Sequence, residues 1–206
     1  MKYKHIVFDI DGTLIDTEYA VINSLIKTIT EITGCAPQYE SLKFALGITG
    51  RNALELLKIP DIENALKQWD RNMKLLQHTI QPFQGIKECL QSLLSKGYLL
   101  GIVTSKTYQE YHSDFEPLGL AGFFSTIVCA DDTDEHKPQA APLVAYLAKA
   151  NVSPENALYI GDSIYDIQCA DNAGVDSGLV LWSNNVSNPI RADYYFNTPN
   201  DISKIL

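Results

Sequence analysis

Apolar residues follow two rhythms along this chain, and the change between them falls near Pro82. Near the start, Ile6-Val7-Phe8 is a short apolar run that reads as a buried strand. Asp16 is suited to cap a helix, and after it Val21, Ile22, Leu25, Ile26, Ile29 and Ile32 recur at helical spacing through Thr33, with Gly34 closing the stripe. Tyr39 to Leu46 and Ile62 to Leu76 repeat the helical pattern, with breaks at Gly47, Gly50 and Pro60. No strand pattern interrupts this section, so a purely helical insertion is expected between the first strand and the region of Pro82, Phe83 and Gly85.

From Gln84 onward helix and strand patterns alternate. Ile86, Leu90, Leu93 and Leu94 share a helix face that ends at Gly97, and Leu99 to Val103 is a continuous apolar run. The alternation continues as helix Tyr108 to Leu118, strand Thr126 to Cys129, helix Ala140 to Lys149, strand Ala157 to Ile160, helix Ile164 to Ala173 and strand Gly178 to Leu181. Tyr194 to Phe196 reads as an edge strand, with a short helix after Pro199. Such alternation implies right-handed crossovers and a parallel sheet covered by helices on both faces. The fold class expected is therefore α/β, a doubly wound parallel sheet made by residues 1–15 and 82–206, with a small all-helical domain at residues 16–81.

Composition narrows the function classes. An apolar content of 46% over 206 residues is ample for a packed interior. The formal net charge of -9 argues against a nucleic-acid or anionic-membrane surface, because polyanions are repelled and no Lys/Arg cluster intervenes. Cys35, Cys89, Cys129 and Cys169 lie far apart, which indicates neither a disulfide framework nor a zinc site. The apolar run before Asp9 is too short for a signal peptide or a membrane span, so a cytoplasmic address is expected.

Open parallel sheets bind ligands beyond the carboxyl ends of their strands, and here those ends are polar. The first strand ends in Asp9-Ile10-Asp11-Gly12-Thr13; Asp9 and Asp11, two apart in an extended segment, lean the same way while Gly12 turns the chain. Two carboxylates this close demand a cation, a shared proton, or both. Further on come Thr104 and Ser105, then Asp131 and Asp132 leading to Lys137, then Gly161, Asp162 and Asp166. Taken singly each admits a plainer role: an Asp-rich turn, a hydroxyl capping a helix, a solvated loop lysine, an acid favoured near a helix N-terminus.

Together, Phe8-Asp9-Ile10-Asp11-Gly12-Thr13-Leu14, Ile102-Val103-Thr104-Ser105, Lys137-Pro138 and Gly161-Asp162-Ser163-Ile164-Tyr165-Asp166 resemble the four signatures of the haloacid dehalogenase-like hydrolases, in order and over the whole chain. The resemblance implies a Rossmann-like core with a cap inserted after the first signature. It also implies Mg²⁺-dependent hydrolysis of a small phosphorylated substrate through an aspartyl-phosphate. Asp9 would be the nucleophile and Asp11 the proton-bearing acid and later base. Thr104, Ser105 and Lys137 would hold phosphate. Asp9, the main-chain carbonyl of Asp11, and Asp162 would ligate magnesium, with Asp166 behind them. With Asp11 protonated, the ionised Asp9, Asp162 and Asp166 balance Mg²⁺ and Lys137, leaving a neutral pocket for a phosphate dianion.

Trp182-Ser183 followed by Ala192-Asp193-Tyr194-Tyr195 is similar to the ending of phosphoglycolate phosphatase-like members. A β-phosphoglucomutase-type mutase remains an alternative, disfavoured because those enzymes carry a histidine where this chain has Ala20-Val21-Ile22. A non-catalytic sensor of a phosphorylated ligand is another. Substrate choice is expected in the cap, around Gly47-Ile48-Thr49-Gly50-Arg51, where Arg51 is either a contact for a second anionic group or a solvated side chain. Phosphoglycolate, a sugar phosphate, a nucleotide and pyrophosphate all remain open.

Overall fold

A computed structural model describes residues 2–183 and 190–205. Six strands, β1 (His5–Phe8), β4 (Leu99–Val103), β5 (Thr126–Val128), β6 (Ala157–Gly161), β7 (Asp176–Val180) and β8 (Tyr194–Phe196), form one sheet in the order β5-β4-β1-β6-β7-β8. Every neighbouring pair is parallel. The order places β1 in the interior, between β4 and β6, so the three segments that follow these strands emerge side by side.

The sheet is buried on both faces, which is why its strands are near-continuous apolar runs. Ile6 and Phe8 point to one apolar cluster, with Leu100, Ile102, Leu158 and Ile160, covered by helices α4 (Ile86–Ser95) and α8 (Pro199–Ile205). Val7 points to the other, with Val103, Val128 and Tyr159, covered by α6 (Ala141–Ala150) and α7 (Ile164–Ala173). One-residue alternation along β1 thus divides the core into two layers. A doubly wound α/β core is what the sequence pattern led one to expect.

The helical insertion has its own apolar cluster. Ile22, Leu25 and Ile29 of α1 (Glu18–Thr33) pack with Ala53 and Leu54 of α2 (Gly50–Leu56) and with Ala65 and Trp69 of α3 (Ile62–Leu76). A polar seam runs beside it: Trp69 Nε1 donates to Ser24 Oγ at 2.8 Å and Asn72 Nδ2 to Thr28 Oγ1 at 3.0 Å.

Four details differ from the sequence reading. β2 (Ile15–Asp16) and β3 (Gln81–Pro82) pair antiparallel, so the boundaries expected at 15/16 and 81/82 fall inside a two-stranded ribbon. Gly50, read as a break, is instead the first residue of α2, whose Thr49 side chain accepts from Asn52 N as its cap. The single helix expected from Tyr108 to Leu118 is α5 (Tyr108–Glu110) followed by a π-helical turn to Phe115 and a 3₁₀ turn, Glu116–Leu118, where Pro117 has no N–H to continue the ladder. Tyr39–Ala45 is likewise 3₁₀ rather than α.

Candidate active site

Asp9 follows directly on β1 and is 2% exposed. Its Oδ1 accepts from Lys137 Nζ at 2.7 Å, and the same ammonium donates to Asp166 Oδ1 at 2.7 Å and to the Tyr159 hydroxyl at 3.1 Å. Oxygens of Asp9, Asp162 and Asp166 all lie within 4.8 Å of one another. Residues far apart in sequence are thereby brought to one point, because β1 and β6 are adjacent and end together.

Two glycines permit that approach. Gly12 has φ +76°, and a Cβ there would fall 2.0 Å from Asp162 Oδ2; one at Gly161 would fall 2.3 Å from Asp166 Cγ. Asp166 is held further by the N-terminus of α7, where Ser163 N donates to its Oδ2 at 3.0 Å and Ser163 Oγ at 2.5 Å. Both Asp166 oxygens are therefore engaged by protein groups. Asp162 Oδ2 accepts from Ser183 Oγ at 3.1 Å.

Asp9 Oδ2 differs from these. It is buried and has no hydrogen-bond partner among the described residues. Burial pushes the Asp9 carboxyl well above the usual carboxylate range; Lys137 pulls it down, while Asp166, Asp11 and Asp162 add to the rise. Burial acts on Lys137 in the opposite sense, but Asp166 and Asp9 outweigh it and hold the ammonium above the ordinary lysine value. A buried, unpartnered oxygen beside two further carboxylates is a donor set that fits a hard divalent cation such as Mg²⁺.

Asp11 points elsewhere. Its Oδ1 lies 3.1 Å from Lys106 Nζ, which donates to Asp114 Oδ2 at 3.0 Å. Asp114 in turn accepts from Gln77 Nε2 at 2.9 Å, a residue just past α3, and from Ser113 Oγ at 2.8 Å. Burial opposes ionisation of Asp114, but Lys106, Gln77 and Ser113 together hold its carboxyl below the usual range. Because the Asp11 carboxylate faces Lys106, any contribution of this residue to a cation falls to its main chain. The charge balance drawn from sequence omitted Lys106 and Asp114, which enter the site as a buried cation and anion.

Lys106 and Tyr159 were not singled out by sequence reasoning. A lysine just past Thr104-Ser105 has no signature separating it from a solvated one, and Tyr159 sits in an apolar strand like any core residue. The remaining candidates are placed as follows. Thr104 is buried, its Oγ1 accepting from Lys106 N at 3.2 Å. Ser105 Oγ donates to the Gly47 carbonyl at 3.0 Å, tying the loop before α2 to the core. Asp131 and Asp132 accept from the main chain and hydroxyl of Tyr108, at 2.6 and 2.9 Å, and act as local caps. Arg51 pairs with Glu63 on the surface of the helical domain.

Asp9, Asp11, Ser105 and Lys106 line the floor of a cleft of about 840 Å³ including its open mouth, and α3 with residues 45–50 forms the opposite wall. Among the described residues no helix is long and apolar enough to cross a membrane.

Comparison with known proteins is consistent across sequence and structure. The sequence model of the haloacid dehalogenase-like hydrolase family matches residues 6–180. A provisionally assigned pyrophosphatase PpaX of Clostridium perfringens is 31% identical, over 97% of this chain and 95% of that protein. Pyrophosphatase PpaX of Bacillus cereus is 28% identical, over 89% of this chain and 85% of that protein. A Lactobacillus plantarum crystal structure, provisionally assigned as a phosphoglycolate phosphatase, superposes with TM-score 0.90 at 30% identity, covering 100% of both chains.

Proposed function

The chain belongs to the haloacid dehalogenase-like hydrolases, and from that premise we propose that it is a magnesium-dependent phosphatase acting on a small phosphorylated metabolite through an aspartyl-phosphate. The observation that carries this reading is Asp9 Oδ2, a buried carboxylate oxygen without a protein partner among the described residues, at the floor of the cleft that also holds Asp11 and Lys106. A purely structural aspartate would have both oxygens satisfied.

In this reading residues 16–81 are the cap, and residues 1–15 with 82–206 carry the chemistry. Asp9 attacks phosphorus in line; the bond to the leaving oxygen breaks as Asp11, protonated in the substrate complex while Lys106 keeps Asp114 as its counter-ion, gives that oxygen its proton. Asp11, then a carboxylate, takes a proton from the water that attacks the aspartyl-phosphate, releasing phosphate and restoring Asp9. Lys137 fixes the Asp9 carboxylate by one oxygen and turns the other toward substrate. The Thr104 and Ser105 turn receives phosphoryl oxygens, Ser105 exchanging its Gly47 partner for one of them. Magnesium, held by Asp9, Asp162 and the Asp11 main chain with Asp166 behind, would supply neutralisation of the phosphoryl charge. The relatives' names, a pyrophosphatase and a phosphoglycolate phosphatase, keep both an anhydride and an ester among the candidate substrates.

Phosphate release from p-nitrophenyl phosphate, with magnesium and then with excess chelator, tests this. Turnover that stops on chelation and is absent in Asp9→Asn is expected. Turnover that survives both would overturn the assignment.

A further inference from the structure

The side chains that line the cleft above Asp9 divide by what they still have to offer a ligand. α3 and the residue just past it turn one face to the cleft, Leu66, Trp69, Asp70, Met73, Lys74 and Gln77, at the three- and four-residue spacing of one helix surface. The polar members of this face are already bonded. Lys74 Nζ donates to Asp70 Oδ2 at 2.8 Å, and Gln77 Nε2 donates to Asp114. On the core side, Glu110 Oε2 accepts from Thr107 N at 2.7 Å, and Lys106 is held between Asp11 and Asp114.

Trp69 has a single N–H, and it goes to Ser24 Oγ, so the indole offers the cleft only carbon. Val21, Ile48, Leu66, Trp69 and Met73 together leave an apolar wall opposite the carboxylates. Among the described residues lining the cleft, each lysine is paired with a carboxylate, and Arg51 is turned to Glu63 outside it. A second phosphoryl group or a carboxylate placed there would lose water against carbon, and face Asp70, Glu110 and Asp114 without a spare cation.

Resting on the phosphatase reading above, we infer that the leaving group is an uncharged alcohol with an apolar carbon body, seated against Leu66, Trp69 and Met73. Pyrophosphate and phosphoglycolate, whose leaving groups carry charge, are then poor substrates. The relatives' names would lead one to expect the opposite.

Ethyl and hexyl phosphate test this directly, because both depart as primary alkoxides of nearly equal basicity and differ only in carbon that the wall would cover. With magnesium, kcat/KM for hexyl phosphate should exceed that for ethyl phosphate by about tenfold or more, since each buried methylene adds to binding, and should exceed that for pyrophosphate. Trp69→Ala should bring the hexyl-to-ethyl ratio down to about twofold, mostly through KM. Ile48→Ser, at a half-buried loop position less entangled with cap folding, should lower the same ratio. A ratio near one in the wild-type protein, or pyrophosphate as the better substrate, overturns the inference while leaving the phosphatase reading intact. Absence of magnesium-dependent release from p-nitrophenyl phosphate overturns both.

Discussion

The floor of the cleft and its cap wall are built on opposite plans. The floor rests on charged groups buried against one another: Asp9, which lines it, with Lys137 and Asp166 beneath, from three distant parts of the chain and joined by bonds of 2.7 Å. The wall is a helix surface whose polar groups satisfy each other and whose remaining face is carbon. Burying charge is costly unless each group finds its counter-charge, so a floor of this kind must be geometrically fixed. An apolar wall tolerates substitution as long as its shape and volume hold. Chemistry belongs on the first kind of surface and selection on the second.

The largest expected effect lies on the floor. Asp9→Asn keeps the shape but removes the carboxylate proposed to attack; kcat should fall by about a thousandfold or more with circular dichroism unchanged. A modest loss would put the chemistry elsewhere.

Next comes the ion cluster beside Asp11 on the floor. Lys106→Met leaves Asp11 and Asp114 without the cation between them, and should destabilise the fold by about 3–5 kcal/mol in denaturant titrations. Adding Asp114→Asn should restore much of that loss. A single variant as stable as the parent would show that this ion cluster contributes nothing to holding the site.

A smaller change sharpens the geometry of the floor. Gly12→Ala combines an unfavourable φ of +76° with a Cβ 2.0 Å from Asp162 Oδ2. The displaced carboxylate should raise the magnesium concentration needed for half-maximal rate by about 10–100-fold.

The smallest effect is confined to the cap. Glu31 joins α1 to α3 by accepting from Asn72 and Gln68, and with Lys27 these bonds lower its pKa to about 2 from 4.5, chiefly through Asn72. A depressed carboxyl contributes stability above its unfolded value, and that contribution is lost as pH falls from 4.5 toward 2. The group is exposed and solvent-screened, so the effect is slight. In a Trp182→Phe background, Trp69 reports the cap alone; Glu31→Gln should flatten its acid transition in this window and leave core circular dichroism unaffected.

Floor and wall also differed in how far they could be read before the fold was known. The strands announced themselves as apolar runs; Asp9, Asp11, Asp162 and Asp166 stood at or just past their ends, and Lys137 in the loop that follows β5, where a parallel sheet presents its ligands. Lys106 was hidden because its meaning depends on Asp11 and Asp114 being brought to it, and nothing in Thr104-Ser105-Lys106 distinguishes a buried ammonium from a solvated one. Arg51 was left open between an anion contact and a solvated side chain, and the structure puts it on the solvated side. Its place after Gly50 put it near the expected mouth, but Gly50 begins α2 instead of breaking the chain, and the side chain turns to Glu63. The wall was visible as a stripe on α3, yet helical periodicity alone could not say that Leu66, Trp69 and Met73 face a cleft as well as a core.

The central claim is that Asp9 carries the phosphoryl group between the two halves of the reaction. Acid quenching during steady-state turnover, followed by peptide mass analysis, tests it most directly. The account predicts one base-labile phosphoryl group on the peptide containing Asp9, and none in Asp9→Asn. Turnover with no label on that peptide, or with label on another residue, would contradict it.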